Sequence, residues 1–278
     1  MTGVQTCALP IFLSSEQIRQ SPAIVADDVL RQLPTFSLFR RASSIAAHPT
    51  TQGVSLRGIG PSGVSRSLVL VDGIPFNDPF GGWVSWSRVP LETVDRIEVV
   101  ESTNSSLYGN YAMGGVINIA SSRPARRTLE FKPQYGNLNT PKLDLFATDV
   151  WGKVGVTFDG GYMTTDGFPN VAVGERGVID DKLRVNFKNF NVKLDYSPTS
   201  RLKTFFRTGY FTEKRHNGKI REDNDTQWTT LAGGVRAELP DGSSLQVNLF
   251  GDLEDFHSTF VAVDRKSTRL NSSHIPLS

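Results

Sequence analysis

The residues that could do chemistry are few, and each has a plainer reading beside it. Gly58-Ile-Gly60-Pro-Ser-Gly63 is a literal G-x-G-x-x-G directly after the strand-like run Val54–Arg57. A dinucleotide site needs a helix to begin at that turn, so that its first amides face a pyrophosphate. The next segment is SLVLVD, Ser67 to Asp72, which is another strand. No acidic residue closes a second strand about 20 positions on. The glycines are therefore read as permitting a tight, open loop. No G-K-[ST] phosphate loop and no G-x-S-x-G nucleophile elbow occurs. His48, His216 and His257 have no second ligand at metal spacing. Glu222, Asp223 and Asp225 form an acidic cluster that could touch a cation, and a solvated loop explains it as well. No catalytic residue, cofactor or metal is assigned, and the chain is read as a non-enzyme.

Composition narrows the class further. Of 278 residues, 38% are hydrophobic and 21% charged, which suits a folding chain and excludes a disordered or collagen-like one. The formal charge of +2 carries no global field that would select nucleic acid. No apolar run reaches the roughly 18 residues of a spanning helix. A spanning β-barrel stays open, because alternating strands look mild on a hydropathy scale. The lone Cys7 has no internal disulfide partner.

Two regions differ in character. Ser14 to Leu33 has helical spacing: Ser14 suits an N-cap, Pro22 interrupts, and Pro34 ends a second helix. Short strands come next, at Val54–Arg57, Ser67–Asp72, Val94–Val100 and Gly115–Ala120. The nearly continuous SLVLV predicts a strand covered on both faces. Between them lie two loops rich in Gly, Pro, Asn and Asp, the second carrying Phe76, Phe80, Trp83 and Trp86. After Pro124 the pattern becomes period two, with seven strands near 128–136, 141–150, 152–163, 184–197, 200–213, 226–239 and 243–256. Short turns at WGK, SPTS and PDGS share one end. Longer polar links, Thr164 to Lys182 and Lys214 to Asp225, share the other. That asymmetry suits a membrane barrel, although a soluble sandwich also alternates.

GVSLRGIGPSGVSRSLVLVDGIPFNDP, VPLETVDRIEVV and SSLYGNYAMGGVINI, with the opening SPAIVADDVLRQLP, resemble in order and spacing the plug domain of TonB-dependent outer-membrane receptors. The resemblance covers residues 14–124. It implies an α+β plug, a small mixed sheet with short helices, followed at 125–263 by the first antiparallel strands of a transmembrane barrel of about 22 strands with a plugged lumen. It further implies a bacterial outer-membrane location, a small-molecule or metal-chelate ligand of siderophore, cobalamin or oligosaccharide class, and energy delivered by the partner TonB and its inner-membrane complex. Outer-membrane lipid is the other partner, and a passive porin is the alternative reading.

Carried over by position, the ligand-facing plug loops hold Gly60, Pro61, Ser62, Arg66, Phe76, Asn77, Asp78, Phe80, Trp83 and Trp86. Packing against the barrel wall is the competing expectation for Trp83 and Trp86. A structural and ion-contact set comprises Arg57, Gly58, Asp72, Gly73, Arg96, Glu98, Tyr108, Gly109, Gly114 and Gly115. Arg57 and Arg96 are expected to face carboxylates, and Asp72-Gly73 to form the turn after the central strand. Many family members read Arg-Gly-Pro where this chain reads Glu101-Ser102-Thr103, which puts a plug-to-barrel ion contact there in doubt. The end segments 1–13 and 264–278 resemble translated sequencing adapter and are expected to be non-native, with the gene cut at both ends.

Overall fold

A computed structural model describes residues 10–59, 65–102, 108–263 and 270–277. The chain divides into two compact units, Met1–Ser122 and Arg123–Ser278.

The first unit begins with β1 (Ile11–Ser14) and α1 (Ser15–Gln20). Ser14 caps α1 through a reciprocal pair: its hydroxyl accepts from the Gln17 amide and the Gln17 side chain accepts from the Ser14 amide. Helix α2 (Ala26–Leu30) starts where the Asp28 carboxylate accepts from the Ile24 and Val25 amides. Then come β2 (Phe36–Leu38), β3 (Val54–Leu56), β4 (Ser67–Val71), β5 (Ile74–Pro75), β6 (Val94–Val100) and β7 (Gly115–Ser121). Five of these form a mixed sheet in the order β1-β6-β7-β4-β5, with β4 and β7 parallel; β2 and β3 pair separately.

All five residues of β4 are buried, and the period of two explains how. Val69 and Val71 join the main core with Ile97, Ile117 and Ile119, while Leu68 and Leu70 pack with Ala112 and Val116. Strands β1, β2 and β5 escape a sequence reading because two to four residues are too few to show a period. One boundary moves accordingly. Ile11–Leu13, placed outside the domain by the sequence, pair with Ile97–Val99 at the edge of the sheet.

The second unit is an antiparallel meander. It runs through β8 (Thr128–Gly136), β9 (Thr140–Trp151), β10 (Val154–Thr164), β12 (Asp180–Tyr196), β13 (Leu202–Lys219), β14 (Asp223–Glu238), β15 (Ser244–Val263) and β16 (Leu270–Leu277), each paired with the next. The two-residue β11 (Phe168–Pro169) adds to β12. The path is open, with β8 and β16 at its edges.

The polar link expected at Lys214 to Asp225 is mostly strand. Lys214 pairs with Asp225 and His216 with Asp223, leaving Ile220–Glu222 as the turn. The reason is visible in the side chains. On one face Arg215 bonds Glu213, Asn217 donates to Asn224, and Asn224 donates to Ser258, so a polar run keeps its strand period and satisfies its own bonds.

The two faces of this sheet invert the rule for a soluble protein. Leu129, Phe131, Leu194, Phe206, Leu231, Val247 and Leu249 are exposed, while Thr157, Asp159, Asn189, Asn191 and Lys193 are buried. Apolar side chains outward and polar ones inward are the pattern of a sheet whose outer solvent is lipid.

Candidate functional site

The loop between β5 and β6 is built inward from its first residue. The Asn77 side chain imitates a strand: its Oδ1 accepts from the Val69 amide at 2.7 Å and its Nδ2 donates to the Ser67 carbonyl at 3.3 Å. The buried Asp78 then closes the loop. Its Oδ1 accepts from the amides of Phe80 and Gly81. Its backbone amide donates to Trp83, and its carbonyl accepts from Gly82. This neck turns the chain back on itself within a few residues.

The consequence for the four rings is a correction. Phe76 is buried under the Arg88 guanidinium, 4.4 Å from its centroid. Trp86 is fully buried, edge-on to Phe36 at 5.9 Å. Trp83 is 8% exposed, its ring lying against Gly81 so closely that a Cβ there would overlap it. Only Phe80, at 74%, is displayed. Trp83 and Trp86 pack within the first unit, against Gly81 and Phe36 respectively. Arg66 is exposed, and its carbonyl accepts from the Gly114 amide. Gly60, Pro61 and Ser62 lie outside the described residues.

The structural set has definite geometry. Asp72 and Gly73 both take positive φ, +54° and +79°, in the two-residue turn that joins β4 to β5. The Asp72 carboxylate also accepts from the Ser121 amide and hydroxyl at 2.8 and 2.7 Å, which ties that turn to the end of β7. Arg96 pairs with Asp95 at 3.2 Å and Glu98 at 2.6 Å, and Glu98 accepts in turn from Asn118 across the sheet. Glu98, more than Asp95, raises the Arg96 pKa further above its ordinary value. Arg57 departs from expectation: it sits at φ +56° beside Gly58, exposed, with no carboxylate partner among the described residues.

Gly114 and Gly115 are needed for close approach. A Cβ at Gly115 would collide with the Val100 carbonyl, and one at Gly114 would meet the Ser67 hydroxyl at 2.9 Å. Gly109 has open space and a φ of +78°, so its requirement is conformational, beside the exposed Tyr108.

One site escapes the sequence altogether. Asp27 is fully buried and accepts two bonds from Ser44, at 2.8 Å from the amide and 2.6 Å from the hydroxyl. Burial, reinforced by neighbouring Asp28, pushes its carboxyl up to about 6 despite those bonds.

Residues 10–116 match the family model of the TonB-dependent receptor plug domain. The first unit is a TonB-dependent receptor plug domain. Solved structures extend the likeness along the chain. The ferric enterobactin receptor PfeA of Pseudomonas aeruginosa superposes with a TM-score of 0.69 at 18% identity, over 97% of this chain and 45% of that one. The siderophore receptor PirA of the same species gives 0.65 at 20%, over 91% and 41%. The copper transporter OprC gives 0.70 at 16%, over 90% and 38%. The chain thus spans less than half the length of each, with the fold of a plug followed by barrel strands.

The Glu101 carboxylate accepts from the Thr35 hydroxyl within the first unit. On the barrel strands, Phe187, Phe211, Trp228 and Phe256 sit on the face that carries the polar residues, one on each of four successive strands. Phe211 stands directly opposite Trp228, whose indole donates to Asp252 at 2.7 Å.

Proposed function

We propose that this chain is part of a receptor that binds a scarce, small amphipathic or metal-chelating ligand and imports it to the periplasm, using energy transmitted by TonB. The observation that carries the reading is the plug itself. A glycine-shaped, tightly bonded plug sheet has no use in an open pore. Within it, Arg66 and Phe80 supply an exposed cation and an exposed ring; Gly60, Pro61 and Ser62, outside the described residues, join this group by sequence position alone. Asn77 and Asp78 hold the second loop's shape, with Phe76, Trp83 and Trp86 as its packed base. The neighbours whose descriptions mention iron-siderophore and copper traffic favour a metal-chelate ligand over an oligosaccharide. The test is uptake by cells carrying the complete receptor, with and without a proton uncoupler. Energised uptake should collapse with the uncoupler and with loss of TonB; uptake indifferent to both would favour the passive pore.

A further inference from the structure

Strands β13 and β14 meet with opposite charges at one end and with like charges at the other. Towards the Ile220–Glu222 turn, Lys214 stands opposite Asp225 and His216 opposite Asp223, and the side chains close on each other at 3.4 and 2.7 Å. At the far end, Lys203, the second residue of β13, stands directly opposite Arg236, two residues before the end of β14. Residues directly opposite in an antiparallel pair have Cβ atoms about 5 Å apart, and like charges so placed repel.

Nothing among the described residues offsets that repulsion. Neither Lys203 nor Arg236 has a carboxylate partner or a side-chain hydrogen bond there. Period two puts both on the polar face: Lys203 shares it with Phe205 and Arg207, and Arg236 with Trp228 and Ala232. Phe206 and Val235, exposed and apolar, belong to the opposite face, so the pair points away from the side that lipid would cover. Phe205 lays its ring over Gly234, where any Cβ would overlap it, and so closes the deep side of the pair. Beyond that ring a second like-charged couple, Lys193 opposite Arg207, is already engaged. The Lys193 ammonium stands 5.7 Å from the centre of the Phe205 ring, and Arg207 lies in the field of the Asp159 carboxylate. Lys203 is half-buried and Arg236 exposed, which leaves the outer couple open to solutes from the end of the short turns.

We propose that Lys203 and Arg236 form a binding site for a small polyanion, a phosphate or a polycarboxylate. The guanidinium offers a planar fork and the ammonium a point charge, and a dianion between them turns a repulsion into two charge-assisted hydrogen bonds. Charge selects the dianion over chloride, because two facing cations are neutralised only by two negative charges held together. In an outer-membrane barrel the short turns are periplasmic, so the site opens to that compartment. A free inorganic anion and a carboxylate-bearing organic molecule share this chemistry. The proposal rests on which face of the sheet is turned inward, not on the ligand or energy source proposed above.

The experiment is isothermal titration of the complete receptor in detergent micelles with inorganic phosphate and with citrate, against chloride at matched ionic strength. At least one of the two polyanions should bind. Tighter phosphate binding marks the occupant as an inorganic anion, and tighter citrate binding marks it as an organic carboxylate. Lys203→Gln and Arg236→Gln should each weaken the tighter anion about tenfold, the size of one charge-assisted bond. Lys153→Gln, which removes a cation from a neighbouring turn, should leave binding unchanged. Melting supplies a second readout. In chloride alone both Gln variants should melt at or above the wild-type Tm, because the repulsion is gone. Adding the polyanion should raise the Tm of the wild type and not that of the variants. Absence of polyanion binding, unaffected Lys203 and Arg236 variants, or an equal loss in Lys153→Gln would each overturn the proposal. So would variants that melt below the wild type in chloride, since the two cations would then be compensated within the protein.

Discussion

Phe80 and Trp83 stand three positions apart in one loop and have opposite fates. Phe80 is exposed, so Phe80→Ala should change plug stability by no more than about 0.5 kcal/mol while lowering affinity for the proposed ligand. Gly81→Ala should do the reverse. Its new methyl cannot coexist with the Trp83 ring, and the displaced indole should cost about 1–3 kcal/mol, read as a lower urea midpoint and red-shifted tryptophan emission. Asp27 offers a pH test. Its folded pKa of about 6 lies above the ordinary 3.8, so the folded plug holds the proton more tightly. Stability from this group is highest below pH 3.8 and is lost as pH rises through the window from 3.8 to 6. Asp27→Asn should therefore match the wild type near the bottom of that window and exceed it by up to about 3 kcal/mol above its top, in denaturation series across pH. A constant difference at every pH would refute the buried-carboxylate account. None of this is legible in the sequence. Asp27 looks there like one more acid in a helix's first turn, where exposed acids are ordinary, and its burial depends on Ser44, seventeen residues away.

At the scale of elements, what can be read is whatever the chain says locally. The capping box at Ser14, the stop at Pro34, the doubly covered β4 and the Asp72-Gly73 turn all rest on neighbouring residues. The turn-rich loop after β5 reads as displayed because Gly, Pro, Asn and Asp usually mean exposure. Its closure comes from Asn77 reaching back to β4, a contact that composition cannot announce. The polar ends of β13 and β14 read as loop for a related reason: alternation is invisible when both faces are polar. The Asp72 turn supplies a prediction at this scale. Asp72→Ala removes both bonds to Ser121 and should cost about 1–3 kcal/mol. Hydrogen exchange should then quicken at the Ser121 amide and along the β4–β5 hairpin, with α1 unaffected. Uniform loss of protection would mean that the turn is not a local tie but part of a single cooperative unit.

For the whole molecule, the decisive property is which face of the long sheet meets which solvent. That property is partly written in the sequence as period-two alternation, yet alternation alone serves a soluble sandwich equally well. The structure breaks the tie through exposure, since one face uncovers apolar residues such as Leu194, Phe206, Leu231 and Leu249 while the covered face holds polar ones such as Thr157, Asp159, Asn191 and Lys193. Strand β15 makes this testable within one short stretch. Leu249 is 75% exposed, in the middle of the apolar series Leu245, Val247, Leu249, Gly251 and Leu253, whereas Gln246 lies on the opposite face. Leu249→Lys would place an ammonium deep in hydrocarbon and should cost about 2–4 kcal/mol of folding free energy in bilayers. Gln246→Lys adds the same charge on the polar face and should cost little. Folding of the complete receptor into lipid vesicles along a urea series, scored by heat-modifiable gel migration, separates the two. Equal effects would mean the faces are not differently solvated. A larger penalty at Gln246 would mean that their assignment is reversed.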